Sequence, residues 1–381
     1  MALSTATAYP SPPPPAGQAR MIIIDRIFNQ AMEREFFFSK DGTKIMVVAP
    51  MVELEHIIDH MDRFKYQYDN LLVIGNGFDL NLGLPTTYRH FVESYIFKRM
   101  FVKRMQEKKG KANTQPSLIE YLYGKKFCER WYDIEQALLE YVSKRPDGTF
   151  VNNVEEDKKD YELVCNALIE YFASILNSLS IGAIDRMREL PAGQLLMALS
   201  SYRNIGYTFN YTPIDNVLEA ISTVKVHGEI EKETIDKGII NKSHIILGIE
   251  TNDINSIAPN YTFLLKSNNS AFHSSQIAID LIQSKNVIFF GHSMNQMDFG
   301  YFEDYLKMLA SNIDKERKLT IITKDESSKI TILDNIRRKG ISVMNIYQHS
   351  NVEFVLTDLL SQGCKEEQDR FDNLLQQIRL Y

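Results

Sequence analysis

The chain has 381 residues, 44% of them hydrophobic and 11% aromatic, and a formal net charge of -6 at pH 7. That is enough apolar material for a sizeable core and two or three domains, and the acidic balance argues against bulk adhesion to nucleic acid or an anionic membrane. No apolar run approaches the roughly 18 residues that a membrane span needs, and the three cysteines, Cys128, Cys165 and Cys364, form no Cys-x-x-Cys pair, which suits a reducing cytoplasm and leaves no cysteine-based zinc site.

Residues 1–20, "MALSTATAYPSPPPPAGQAR", are rich in proline and lack the basic and apolar regions of a secretory signal, so a disordered leader or expression scar is expected. Residues 21–70 are expected to form a small appendage. In it "EFFFSKDGTKIMVVA" reads as strand, Asp-Gly turn, strand, and "MVELEHIIDHMDRF" as an amphipathic helix. His56 and His60 have a zinc-compatible i, i+4 spacing, but Ile57 stands where H-E-x-x-H needs glutamate, so a surface or packing role is expected. "LLVIGNG" (71–77) is a buried strand running into a glycine turn, and 71–90 opens a nucleotide-binding domain that resumes over 201–360.

Residues 91–200 read as a helical insertion. "FVESYIFKRMFVKRM", "WYDIEQALLEYV", "YELVCNALIEYFASILNSL" and "AIDRMRELPAGQLLMALS" all carry apolar residues at i, i+3, i+4 spacing. The basic face of "FKRMFVKRMQEKKGK" is expected to be solvated, and Asp133 with Gln136 to make a capping box, with Glu135 at the positive helix end. From 201 onward "NIGYTFNY", "STVKVHG", "HIILGIE", "NVIFFGHS", "KLTIITKD" and "ISVMNIYQ" are strand-like, and 361–381 is a C-terminal helix. The expected fold class is α/β: a Rossmann-like, mostly parallel sheet with a large helical insertion and a small N-terminal appendage.

A dinucleotide fingerprint G-x-G-x-x-G beginning at Gly75 would place its third glycine at position 80, where Leu80 stands. Gly75 and Gly77 still permit a tight turn and close approach of backbone N–H groups to a pyrophosphate. The missing third glycine, with Gly83, Pro85 and Thr86 soon after, implies that a loop rather than a helix follows. Asn210 ends one strand-like run, and seventeen residues on His227, backed by Gly228, ends another. In a parallel sheet such strand ends converge on one ligand crevice.

In this order "IGNGFDLNLGLPTTY", "WYDIE", "FNYT", "VHG", "LGIE" and "GHSMNQMD" resemble the AbiH family of bacteriophage abortive-infection proteins, over roughly Leu71 to Gln348. More distantly, the glycine turn, the strand-end Asn, the His-Gly and the later Gly-x-Ser are similar to the sirtuin-like NAD-binding fold. That resemblance implies NAD as substrate rather than resident cofactor, cleaved at the nicotinamide–ribose bond by Asn210, orienting water or a ribose hydroxyl, and His227, as general base. It also implies a nucleotide site drawn from Gly75, Asn76, Gly77, Phe78, Asp79, Pro85, Thr208, Gly228, Gly291, His292, Ser293 and Asp298. "FNYT" departs from the sirtuin Thr-x-Asn-x-Asp pattern by placing Thr212 where Asp is expected; Asp215 is the nearby substitute. Asp298 has two readings, a ligand-loop residue or a helix cap before "FGYFEDYLKML". The implied setting is a cytoplasmic phage-defence effector acting as a homo-oligomer, with a phage-derived trigger or a partner defence protein and without membrane or nucleic acid.

Two other readings stay open. One is a nucleotide-binding sensor or scaffold that uses the same pocket without turnover. The other is a serine hydrolase, because Ser293, Asp325 and His349 follow strands in nucleophile-elbow order, although Asn295 replaces the elbow's second glycine and only 32 residues separate Ser293 from Asp325.

Overall fold

The computed structural model describes residues 65–108, 115–125, 134–145, 148–230, 245–251, 253–269 and 275–379. The chain divides into two compact units, Met1–Lys65 and Tyr66–Tyr381. The expected leader, the hairpin and helix of the appendage, His56, His60, Cys128 and Asp133 lie outside the described residues.

Six strands form one sheet: β1 (Tyr68–Ile74), β2 (Asn204–Thr208), β3 (Val224–Lys225), β4 (Ser284–Phe290), β5 (Lys318–Thr323) and β6 (Asn351–Leu356). All neighbours pair in parallel, in the order β3-β2-β1-β4-β5-β6. This is the strand order of doubly wound dinucleotide-binding domains, whose connections reverse direction between β1 and β4. The α/β, Rossmann-like class is therefore the fold of this chain.

The apolar strand runs have no polar alternation because both faces of the sheet are covered. Leu72, Ile74, Ile288, Phe290, Ile322 and Val355 point into a core shared with the 91–200 helices and the C-terminal helix Lys365–Arg379. Their neighbours Leu71, Val73, Val287, Phe289, Leu319, Ile321 and Phe354 face a second core. That core is closed by helices including Ser275–Ile282, Glu303–Ser311 and Glu326–Arg338.

Between β1 and β2 the described helices include Tyr95–Glu107, Leu118–Lys125, Ile134–Val142 and the long Val154–Asn177. Pro191 divides the "AIDRMRELPAGQLLMALS" run into two helices, Ile181–Glu189 and Pro191–Ala198. It sits at the first position of the second helix, where a missing N–H costs nothing. Among the described residues no single helix is long and apolar enough to cross a membrane.

Three expectations are corrected. A helix, Asn76–Asn81, follows the glycine turn directly, and the loop comes only afterwards, at Gly83 with φ +83°. "ISVMNIYQ" folds mainly as the helix Val343–His349, capped by Ser342, which accepts from the Asn345 N–H; its apolar residues suit one helix face as well as a strand. The sixth strand is instead "NVEFVL". "HIILGIE" makes only isolated bridges, Gly228 with Ile245 and Ile249 with Leu265.

The first correction has a packing cause. Gly77 N–H donates to the Gly291 carbonyl at 2.9 Å and Gly75 N–H to the Phe290 carbonyl at 3.0 Å, so the turns after β1 and β4 interlock through backbone. A Cβ on Gly75 would lie 2.6 Å from the His292 Cα, and one on Gly77 would lie 2.6 Å from the Gly291 Cα. Leu80 is 40% exposed, so close packing is needed at 77 and not at 80. Gly77→Ala is expected to destabilise by about 1–3 kcal/mol or more through overpacking. Gly300→Ala, whose Cβ would meet nothing within 4 Å, is expected to stay within about 0.5 kcal/mol of wild type. Urea denaturation of the two variants checks this, and equal midpoints would count against the interlock.

Candidate functional site

The carboxyl ends of β1, β2, β3 and β4 bring most of the expected residues to one edge of the sheet. Thr208 ends β2, and its hydroxyl accepts from the Asn210 N–H at 3.1 Å. Asn210 Nδ2 donates to the Gly75 carbonyl at 3.1 Å and to Asp79 Oδ1 at 2.9 Å, while the Thr212 hydroxyl donates to Asp79 Oδ2 at 2.6 Å. Asp79 is 1% exposed. Burial pushes its carboxyl up to about 6, against the pull of Thr212, Asn210 and, at longer range, Lys225. Asp215 does not substitute at this point: it accepts from Thr223 and Lys225.

A second group lies on the other side of Phe209. Its ring is edge-to-face with His227 at 5.2 Å and with His292 at 4.6 Å between centroids. Lys266 Nζ, 1% exposed, donates to Glu135 Oε2 at 2.7 Å and Asp298 Oδ1 at 2.9 Å, and lies 3.3 Å from His227 Nε2. Asp298 Oδ1 is 3.4 Å from His227 Nε2, and Oδ2 is 3.7 Å from His292 Nε2. His292 Nδ1 accepts from the Met294 N–H at 3.0 Å. Two carboxyl groups, of Glu135 and Asp298, thus face the one ammonium of Lys266.

The protonation states follow from burial and from Lys266. Burial works to lower the Lys266 ammonium, but the Asp298 and Glu135 carboxylates outweigh it and hold it well above the usual range. Burial would raise Asp298, yet Lys266, His227 and His292 hold it well below the usual carboxylate range. Both imidazoles are depressed, His227 by burial and then by Lys266, and His292 by burial to about 4. They are therefore neutral at pH 7. Hydrogen bonds from His227 to Asp298 and to the Phe209 backbone work the other way without offsetting burial.

The other expected residues surround these two groups. Asn76 Oδ1 accepts from the Thr86 hydroxyl at 2.7 Å, the Pro85 carbonyl accepts from the Tyr171 hydroxyl at 2.7 Å, and Phe78 is buried edge-to-face against Phe290. Gly228 and Gly291 take φ +76° and +65°. Asp298 makes no side-chain cap to the 3-10 turn Phe299–Tyr301, which removes the capping reading. The serine-hydrolase constellation is not assembled. Asp325 caps Glu326–Arg338 by accepting from the Ser328 N–H, His349 Nδ1 bonds the Ala310 carbonyl, and Ser293 is exposed.

The family model for bacteriophage abortive infection AbiH matches residues 71–322. The chain belongs to this family. No curated protein matches it.

The stretches on which the resemblance to AbiH rests each contribute to these two groups or pack against them. "GNGFD" gives the interlock and Asp79, "FNYT" gives Asn210 and Thr212, "VHG" gives His227, and "GHSMNQMD" gives Gly291 and Asp298. "WYDIE" contributes Glu135, which lies in the first turn of the helix Ile134–Val142, as expected, and is also buried, 4% exposed against Lys266. "LGIE" contributes Gly248, where a Cβ would lie 2.4 Å from the Leu264 carbonyl and 3.2 Å from Lys266 Cγ. Sequence reading missed Lys266 altogether. Its one signal is a lysine set directly after the apolar "FLL".

Removing the ammonium should be costly, because it leaves Glu135 and Asp298 buried without their cation. Lys266→Met is expected to destabilise by about 3–5 kcal/mol, with Lys266→Met/Glu135→Gln recovering part of the loss in denaturant titration. Acid should act through the histidines. A depressed folded-state pKa contributes stability above the unfolded value, lost as pH falls from about 6.5 toward about 4. The loss over that window, on the order of 3 kcal/mol for His292, should shrink in His292→Gln when unfolding is measured at several pH values.

Proposed function

We propose that this AbiH-family chain is an abortive-infection effector that hydrolyses NAD at the nicotinamide–ribose bond. The observation that carries the reading is the placement of Asn210 and His227 at neighbouring strand ends, beside the β1–β4 switch point of a doubly wound sheet, where such folds take dinucleotides. Cleavage of an N-glycosidic bond passes through a cation-like ribosyl centre and needs an oriented water. Asn210 orients the water or a ribose hydroxyl. His227, neutral because burial and Lys266 depress it, has the proton state a general base requires, a role worth roughly 10²–10⁴-fold. The Asp298 carboxylate, held ionised beside Lys266, favours a developing positive charge nearby. Phage infection or a partner defence protein acts as the trigger, and depletion of the cell's NAD is the outcome.

One observation favours the alternative in which a nucleotide is bound and not cleaved. The Gly77 amide and His227 Nε2 are already engaged, by Gly291 and by Lys266 and Asp298. A sensor needs neither group to be free, whereas an enzyme must release them.

Nicotinamide release from NAD by the purified full chain decides between the two. Wild type is expected to release it, and His227→Ala and Asn210→Ala to lose at least about 10²-fold in kcat while keeping the wild-type unfolding midpoint within a few degrees. Turnover retained in His227→Ala would remove the proposed base. NAD binding by calorimetry without release would leave the sensor.

A further inference from the structure

The bonds around Asn210 define what it can offer a ligand. A side-chain amide has two N–H donors and one carbonyl acceptor. Both donors are directed inward, one to the Gly75 carbonyl at 3.1 Å and one to Asp79 Oδ1 at 2.9 Å. Oδ1 accepts no hydrogen bond from the described residues and is the amide's one remaining polar group. Asp79 is itself held: its second oxygen accepts from the Thr212 hydroxyl at 2.6 Å, and its backbone belongs to the helix Asn76–Asn81 that the glycine interlock fixes. A carboxylate acceptor also gives a shorter, stronger bond than a neutral one.

We infer that Asp79 is a positioning residue that locks Asn210 as an acceptor-only group, so that the ligand atom meeting Asn210 is a hydrogen-bond donor: a ribose hydroxyl or the attacking water. This rests on the glycohydrolase reading for the identity of the ligand, but not for the lock itself. Thr212 acts one step further out, by orienting Asp79.

Two measurements test it. The first needs no ligand: in asparagine-labelled full-length protein, the Asn210 side-chain amide pair, identified by its disappearance in Asn210→Asp, is expected to be protected from solvent exchange. Protection should fall at least about tenfold in Asp79→Ala and return in Asp79→Asn, whose Oδ1 still accepts while its Nδ2 donates to Thr212. An amide that exchanges like a surface asparagine in wild type overturns the lock, whatever the protein does to NAD. The second is kinetic: Asp79→Ala should lower kcat for nicotinamide release roughly 10²-fold with KM little changed, as expected for a misplaced reacting group, and Asp79→Asn should recover to within about tenfold of wild type. Equal kcat in wild type and Asp79→Ala overturns the positioning role and leaves the glycohydrolase intact. Wild type that neither cleaves nor binds NAD, with Asn210 protected, overturns the ligand assignment and upholds the lock.

Discussion

The backbone contact between the turns after β1 and β4 is the constraint on which the rest of the site depends. Adjacent parallel strands lie about 4.8 Å apart, so the turns leaving them can meet only where no side chain intervenes. Gly75, Gly77 and Gly291 meet that condition. The contact determines where the helix Asn76–Asn81 begins, hence where Asp79 lies, hence which way the Asn210 amide turns. On its other side the same turn carries His292 and, through Met294, leads to Asp298. The two polar clusters are thus registered to each other by main chain, which tolerates far less displacement than side-chain packing would.

The charges are arranged in the opposite manner, from segments far apart in the sequence. Glu135 comes from the helical insertion, Lys266 from the segment after the isolated bridges, and Asp298 from the loop after β4. A buried ammonium is stable only with its carboxylates in place, and a buried carboxylate only with its cation. None of the three segments can dock without the others at no cost, so the insertion is an integral wall of the site. The two histidines complete the group as neutral rings, because burial disfavours a charged imidazole and Lys266 adds to that.

Much of this was legible in the sequence, and the remainder was hidden for identifiable reasons. The runs "LLVIGNG", "NVIFFGHS" and "KLTIITKD" could only be strands buried on both faces, and the parallel sheet followed from them. The helix after Gly77 was not foreseen because a missing third glycine was read as a missing helix. In fact the glycine requirement follows the partner backbone, which touches position 77 and leaves position 80 facing outward. "ISVMNIYQ" is ambiguous because eight residues of mixed apolar and polar type satisfy either period, and the Ser342 cap is a weak signal beside two isoleucines. The resemblance points to Asn210 and His227, whereas Lys266 cannot be found from spacing, since a lone lysine after an apolar run becomes meaningful only once its two distant carboxylates are folded around it.

Asp79 shows how a local motif and a distant one combine. On its own, the aspartate in "GNGFD" is an acidic residue in the first turn of a helix, where the positive end of the dipole favours it, and no other role is required. The structure moves it out of that explanation: it is buried, its oxygens are taken by Asn210 and Thr212, and burial has raised its carboxyl toward the neutral range despite both bonds. A helix cap would have been served by solvent at lower cost. Placing an acidic group there, at a desolvation penalty, makes physical sense only if the orientation it imposes on the Asn210 amide matters more to the protein than the stability an apolar residue would have given.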